Sequence, residues 1–263
     1  MDLGLQGKVT LVAGASKGLG KACALGFARE GVRVAMCSRG QEAIDAAAQD
    51  VARETGAEVL ALAADVSRPE ACERLVQQTV DRFGRLDILV NNAGGPPTGL
   101  AAGMSDEQWQ TAFETNLMSA VRLTRAAVPH MRKAGAGRII NITSSGVRQV
   151  LPGLVLSNSI RAGVINFAKT LAVELGPDNI LVNSVAPGRF ATDRVVELDA
   201  INAKNWGVSV EESAKRQVSN IPLGRYGEPE ELANVVVFLG SERASFVSGQ
   251  TILIDGAATR AIF

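Results

Sequence analysis

Tyrosine, histidine and cysteine are scarce in this chain: 263 residues hold one, one and three of them. Each scarcity narrows the reading. The histidine, His130 in Val128-Pro129-His130-Met131-Arg132-Lys133, stands near an expected helix end and reads as surface structure, not catalysis. The tyrosine, Tyr226 in Leu223-Gly224-Arg225-Tyr226-Gly227-Glu228-Pro229, falls in an expected turn before a helix and reads as a packing residue. Cys23, Cys37 and Cys72 are odd in number and widely spaced. They read as reduced thiols of a cytoplasmic protein, neither disulfides nor metal ligands, so no metal site is expected. Excess charge is also missing: Lys+Arg and Asp+Glu both total 27, which gives no net-charge argument for nucleic acid or a membrane surface. The longest apolar runs, such as Val235-Val236-Val237-Phe238-Leu239, are far too short to span a bilayer. Met1 to Lys8 lacks a basic stretch followed by an apolar one, so no signal peptide is expected there.

What is present is an ordinary globular composition, 46% hydrophobic and 21% charged, at a length that suits one large α/β domain. Short apolar runs at Val9 to Ala13, Val32 to Cys37, Val59 to Ala63, Ile88 to Val90, Ile139 to Ile142, Leu181 to Val185 and Ile252 to Ile254 predict strands. Leu19 to Glu30 and Gln41 to Thr55 predict the first two helices, and later segments are long enough for right-handed crossovers. The expected fold is α/β: a single Rossmann-type, doubly wound parallel sheet over residues 1–263 with helices on both faces. Ser105-Asp106-Glu107-Gln108 fits a capping box, and Gly227-Glu228-Pro229-Glu230-Glu231 puts proline and acids in a first helical turn. The long stretch of mixed polarity at about 189–224 follows a strand's carboxyl end and is expected to be a substrate lid.

Gly14-Ala15-Ser16-Lys17-Gly18-Leu19-Gly20 follows a strand and opens a helix. Without side chains the glycines let backbone approach a pyrophosphate, and the helix N-terminus offers it free N–H groups. The second strand ends Met36-Cys37-Ser38-Arg39, with no acid to bind a ribose 2′-hydroxyl. Arg39, Ser38 and Lys17 instead suit a 2′-phosphate, so NADP(H) is expected in preference to NAD(H).

These marks, with Asn91-Asn92-Ala93-Gly94, Asn116, Ser144 and Pro187-Gly188, resemble the short-chain dehydrogenase/reductase family along almost the whole chain. The framework at Gly137 to Ile142, Ala168 to Leu175 and Ser248-Gly249-Gln250 is most similar to the 3-oxoacyl-(acyl-carrier-protein) reductases. The resemblance implies that Asp65-Val66 holds the adenine and that Asn91, Asn92, Ala93 and Gly94 lie along the cofactor. It implies that Pro187, Gly188, Phe190 and Thr192 cover the nicotinamide. Ala13 stands where the family usually has threonine. The larger departure follows Ser144. The family's Tyr-x-x-x-Lys pair begins thirteen residues after the catalytic serine, and here that stretch reads Ser157-Asn158-Ser159-Ile160-Arg161.

A serine hydroxyl is a weaker acid than a phenol and shorter by a whole ring, so Ser157 does not reach where a tyrosine oxygen would be. Arg161 keeps the lysine's positive charge and can hold ribose hydroxyls, but it stays protonated at working pH. Ser144, Asn116, Ser157 and Arg161 are therefore the candidate catalytic set, with Arg148 a further candidate for a substrate carboxylate, phosphate or oxyanion. Three functions compete. One is an atypical NADP(H)-dependent reductase of a 3-oxoacyl or related ketone. Another is an NADPH-binding protein without redox turnover, acting as a sensor or partner subunit. The third is a lyase-type use of the scaffold as in the halohydrin dehalogenases, which keep the tyrosine and lose the glycine loop, the reverse of this chain. The family also implies a homodimer or homotetramer. Helices Ser105 to Ala134 and Leu156 to Leu175 would form its interface, and the tail Val247 to Phe263 would be covered by a neighbour. The absent acid at the second strand makes the first prediction: a cofactor titration gives tighter binding of NADPH than of NADH. The opposite order would contradict the assignment of Arg39 and Ser38.

Overall fold

A computed structural model describes residues 1–262; Phe263, at the end of the apolar tail, lies outside them. Seven strands form one sheet: β1 (Val9–Val12), β2 (Arg33–Ser38), β3 (Val59–Ala63), β4 (Ile88–Asn91), β5 (Gly137–Ile142), β6 (Ile180–Pro187) and β7 (Thr251–Ile254). Every neighbouring pair is parallel, in the order β3-β2-β1-β4-β5-β6-β7. β1, β4 and β6 are buried throughout, as near-continuous apolar runs covered on both faces should be, whereas the edge strands β3 and β7 are half-buried. The chain winds outward from β1 to β3 and then returns to place β4 on the other side. That reversal opens a crevice beyond the carboxyl ends of β1 and β4.

Helices α1 (Gly18–Arg29), α2 (Gln41–Thr55) and α9 (Pro229–Gly240) cover one face, burying Phe27, Ile44 and Val236 against Met36 and Ile140. Helices α3 (Pro69–Phe83), α5 (Ser119–Ala134) and α6 (Val155–Glu174) cover the other through Leu75, Phe83, Leu123, Met131 and Ala168. The three cysteines are buried free thiols, and burial pushes Cys23 and Cys37 up to about 12 and Cys72 up to about 11. No helix of the described residues is long and apolar enough to cross a membrane.

The helix expected from Ser105 to Ala134 is not uniform. Ser105 closes its capping box with Gln108 at the start of α4 (Asp106–Ala112), but Phe113–Met118 then widens to a π-helix before α5. Such a bulge displaces one turn from the 3.6-residue ladder, and Asn116 sits buried inside it.

A chain of amides crosses the sheet. Asn91 Nδ2 donates to Asn141 Oδ1 (2.9 Å) and to Thr124 Oγ1 (3.2 Å). Asn141 Nδ2 donates to the Asn183 carbonyl (3.4 Å), and Asn183 donates to Val247 O (2.7 Å) and accepts from Gln250 N (3.0 Å). Three adjacent strands, β4, β5 and β6, and the segment entering β7 are thereby tied at one level.

The excursion at 189–224 carries α7 (Asp193–Trp206) and α8 (Val210–Val218). Its two ends are clipped together: Gly227 N donates to Arg189 O (3.0 Å) and Ala191 N to Gly227 O (2.8 Å). Beneath, Asp199 is buried and accepts from both Tyr226 Oη (2.7 Å) and Arg189 Nη1 (2.8 Å). Tyr226 is therefore a hydrogen-bonded brace, more than the packing residue expected. Burial and then the Asp199 hydrogen bond push its phenol up to about 12. The brace is thus intact below the ordinary tyrosine value and is lost only as pH rises toward 12. Tyr226→Phe leaves Asp199 with one donor fewer and should destabilise the protein by about 1–3 kcal/mol at neutral pH in urea unfolding. A loss below about 0.5 kcal/mol would show that the brace is not needed.

Candidate active site

The glycine loop is built by close approach. Gly14 and Gly18 have φ of +60° and +56°, which side chains resist. A Cβ on Gly20 would collide with the Gly14 carbonyl and lie 2.8 Å from Asn92 Nδ2. That amide donates to Ala13 O (3.2 Å) and Gly14 O (3.1 Å), fastening the loop to the end of β4. Lys17, at the N-cap of α1, makes no side-chain cap, and the first turn holds no acid. The first N–H groups of α1 are left for an anion.

Ser16, Gly18, Leu19 and Gly20 line one continuous cleft of about 2950 Å³, together with Ser38, Arg39, Asp65, Val66, Asn92, Ala93 and Gly94. Pro187, Gly188, Phe190, Thr192, Gly14 and Lys17 also line it. Burial opposes the charge of Asp65, but the hydrogen bonds from Ser67, with Arg39 and Arg68 nearby, hold its carboxyl below the ordinary value. One expected residue is placed otherwise. Asn91 does not line the cleft, because its amide is used inside the sheet. Lys17 Nζ pairs with Asp193 Oδ2 at 2.8 Å, joining the glycine loop to the start of the 189–224 excursion.

The chemical end lies past β5. Thr143 Oγ1 donates to Val185 O (2.9 Å), setting the chain so that Ser144 faces the cleft, where its Oγ accepts from Gly146 N (3.2 Å). Ser157 and Arg161 are one turn apart on α6, both buried and both on the cleft wall. The Arg161 guanidinium bridges two strand ends, with Nη1 donating to Ile142 O (2.8 Å) and Nη2 to Ala93 O (3.3 Å). Burial first and Arg194 second push its pKa down to about 10, so it remains a cation at neutral pH. Asn116 Oδ1 and Asn91 Oδ1 are both buried without a partner. They open on a cavity of about 10 Å³ that Arg161 and Ser119 also line, which matches one bound water.

Arg148 is exposed and off the cleft lining, because the 3₁₀ turn Ser145–Val147 ends there and turns it outward. Arg194 was not anticipated. It reaches in from α7, donating from Nη2 to Pro96 O (2.8 Å) and from Nη1 to Glu197 (2.9 Å). One arginine on an amphipathic helix reads as a solvated charge, and nothing in its neighbours signals a partner 98 residues away.

The family model described as enoyl-(acyl carrier protein) reductase matches residues 14–259. The 3-oxoacyl-[acyl-carrier-protein] reductase of Synechocystis sp. is 38% identical over 254 residues, 96% of this chain and 97% of that one. L-sorbose reductase from Gluconobacter frateurii, solved with NADPH and L-sorbose, superposes with a TM-score of 0.95 at 37% identity over 100% of both chains. An actinorhodin polyketide ketoreductase solved with NADPH gives 0.93 at 35% identity, covering 96% of this chain and 97% of that one. With a doubly wound parallel sheet, a close-packed glycine loop and this likeness over nearly its full length, the chain belongs to the short-chain dehydrogenase/reductase family.

Proposed function

We propose that the chain is an NADPH-dependent oxidoreductase that reduces a carbonyl, in a 3-oxoacyl compound or related ketone, without a catalytic tyrosine. The observation that carries this is one cleft holding both the glycine cradle and, past β5, Ser144 beside the buried Arg161 cation. The relatives' NADPH and carbonyl substrates support the same reading.

The cradle fits the cofactor: uncapped N–H groups of α1 take the pyrophosphate, and Arg39 and Ser38 take a 2′-phosphate at the far end. Lys17 joins them by leaving Asp193, an exposed and therefore weak partner. Asp65 and Val66 border the adenine. Asn92, Ala93, Gly94, Pro187, Gly188, Phe190 and Thr192 border the nicotinamide. Bound NADPH supplies a hydride; the chain's residues manage charge and proton. Ser144 donates its hydroxyl to the carbonyl oxygen as negative charge grows there, and Arg161 sets a fixed positive field beside it. Arg161 does not release the proton; it stays ionised. The alkoxide takes its proton from water in the cleft through the Ser157 hydroxyl, which regains it from solvent, and the small cavity beside Asn116 would hold a further water of that relay.

Other parts of the chain fill supporting roles in this reading. The lid at about 189–224 closes on the substrate through Arg194, Val195 and Leu198, which line the cleft. Exposed Phe113 and Val173 on the expected helices, and Ile262 in the tail, support a homodimer or homotetramer. Three free thiols suit a cytoplasmic setting.

Ser144→Ala removes the oxyanion donor and leaves the cradle intact. Turnover should fall by roughly 10²-fold or more while NADPH binding is kept. Undiminished turnover in that variant would reject the site.

A further inference from the structure

We propose that the carbonyl substrate carries a free carboxylate one or two carbons from the reacting carbon, a 2-oxo or 3-oxo acid, and that the Arg161 guanidinium binds it with Arg194 closing from the lid. This rests on the carbonyl-reductase reading and adds the substrate's charge to it.

The starting point is a buried cation without a counter-ion. Arg161 is 8% exposed, lines the cleft, and forms no ion pair among the described residues. An arginine carries five N–H donors, and two are used, on Ile142 O and Ala93 O. Those carbonyls are neutral, so they orient the fork without neutralising it. A full charge taken from water is unfavourable unless a partner ion meets it. Ribose hydroxyls of a bound cofactor can accept from the remaining N–H groups, but they too are neutral.

The cleft's own acids do not supply that partner. Asp50, Glu54, Glu114 and Asp193 are each paired with a different lysine or arginine. Asp65 takes the hydrogen bond from Ser67, and Glu230 stands in the first turn of α9. Meanwhile a second guanidinium is drawn to the same place. Arg194 holds Pro96 O, three residues along the same segment from Ala93 O, and it is close enough to act on Arg161's ionisation. Its partner Glu197 is well exposed, which leaves the inner charge dominant.

Shape agrees with charge. Ser157, one turn before Arg161, lines the same cleft and puts only a short hydroxyl side chain there. A planar carboxylate meets the planar guanidinium fork through two hydrogen bonds, which a ketone or ester does not. Ser144 then takes the carbonyl oxygen of the same molecule. The L-sorbose of the structural relative is uncharged, so the substrate proposed for this chain differs from it in charge.

The test is a matched panel: 2-oxobutanoate, 3-oxobutanoate and 3-oxohexanoate against their methyl esters, on the full chain saturated with NADPH. Calorimetric binding and NADPH oxidation are measured in parallel. At least one acid should bind and turn over about tenfold or more better than its ester, and Arg161→Gln and Arg194→Gln should each shrink that ratio. Acid-selective binding without oxidation would keep the anion site and remove the reductase reading. Turnover with no preference for acids would keep the reductase reading and overturn the anion site. If no acid binds better than its ester, the inference is wrong whatever the turnover.

Discussion

A guanidinium buried at the carboxyl edge of the sheet is the constraint on which the site depends. Arg161 donates at once to the end of β5 and to the segment after β4, so it joins the two strands beside the crevice. A lysine in that position would offer a compact point charge. The planar fork spans two carbonyls and so fixes its own plane, with the unused N–H groups directed where neither carbonyl reaches. What the site does therefore follows from a charge that does not move and does not release its proton.

The cofactor end and the chemical end answer to different physics. The cofactor end is backbone geometry: a close-packed pair of glycines, the Asn92 amide that stitches them to β4, and bare helix N–H groups. Such a cradle tolerates change in the side chains around it. The chemical end depends on the reach and acidity of two or three side chains, and there a serine for a tyrosine changes both. On the proposed function, keeping the first while altering the second gives a protein that holds NADPH and handles the substrate by field and hydrogen bonding instead of by a phenol. The amide chain from Asn91 to Asn183 ties the strands under the site, and the Tyr226–Asp199–Arg189 brace ties the 189–224 excursion to its own base.

Much of the fold was legible in the sequence. The apolar runs mark all seven strands, Val59–Ala63 to the residue, and the helical pattern from Gln41 to Thr55 gives α2 to the residue. The capping box at Ser105 and the proline and acids that open α9 were readable because they are local. The π turn around Asn116 was not: it adds one residue to one turn, too little to disturb an apolar period. In the site, spacing from Ser144 locates Ser157 and Arg161, since all three depend on one strand and one helix. The partners of Lys17 and Arg194 lie 176 and 98 residues away, and their selection is tertiary. The amide chain left a trace that was passed over, a lone asparagine inside each of the apolar strands β5 and β6.

The central claim is that carbonyl reduction proceeds here with Arg161 and Ser144 in place of a phenol. Its most direct test mixes the protein with NADPH, confirms binding in that sample, and follows NADPH oxidation against ketones, 3-oxoacyl thioesters and oxo acids. The account predicts steady oxidation with at least one of them, in step with appearance of the alcohol. Bound NADPH that no carbonyl oxidises would contradict it and leave a cofactor-binding protein whose role is not redox.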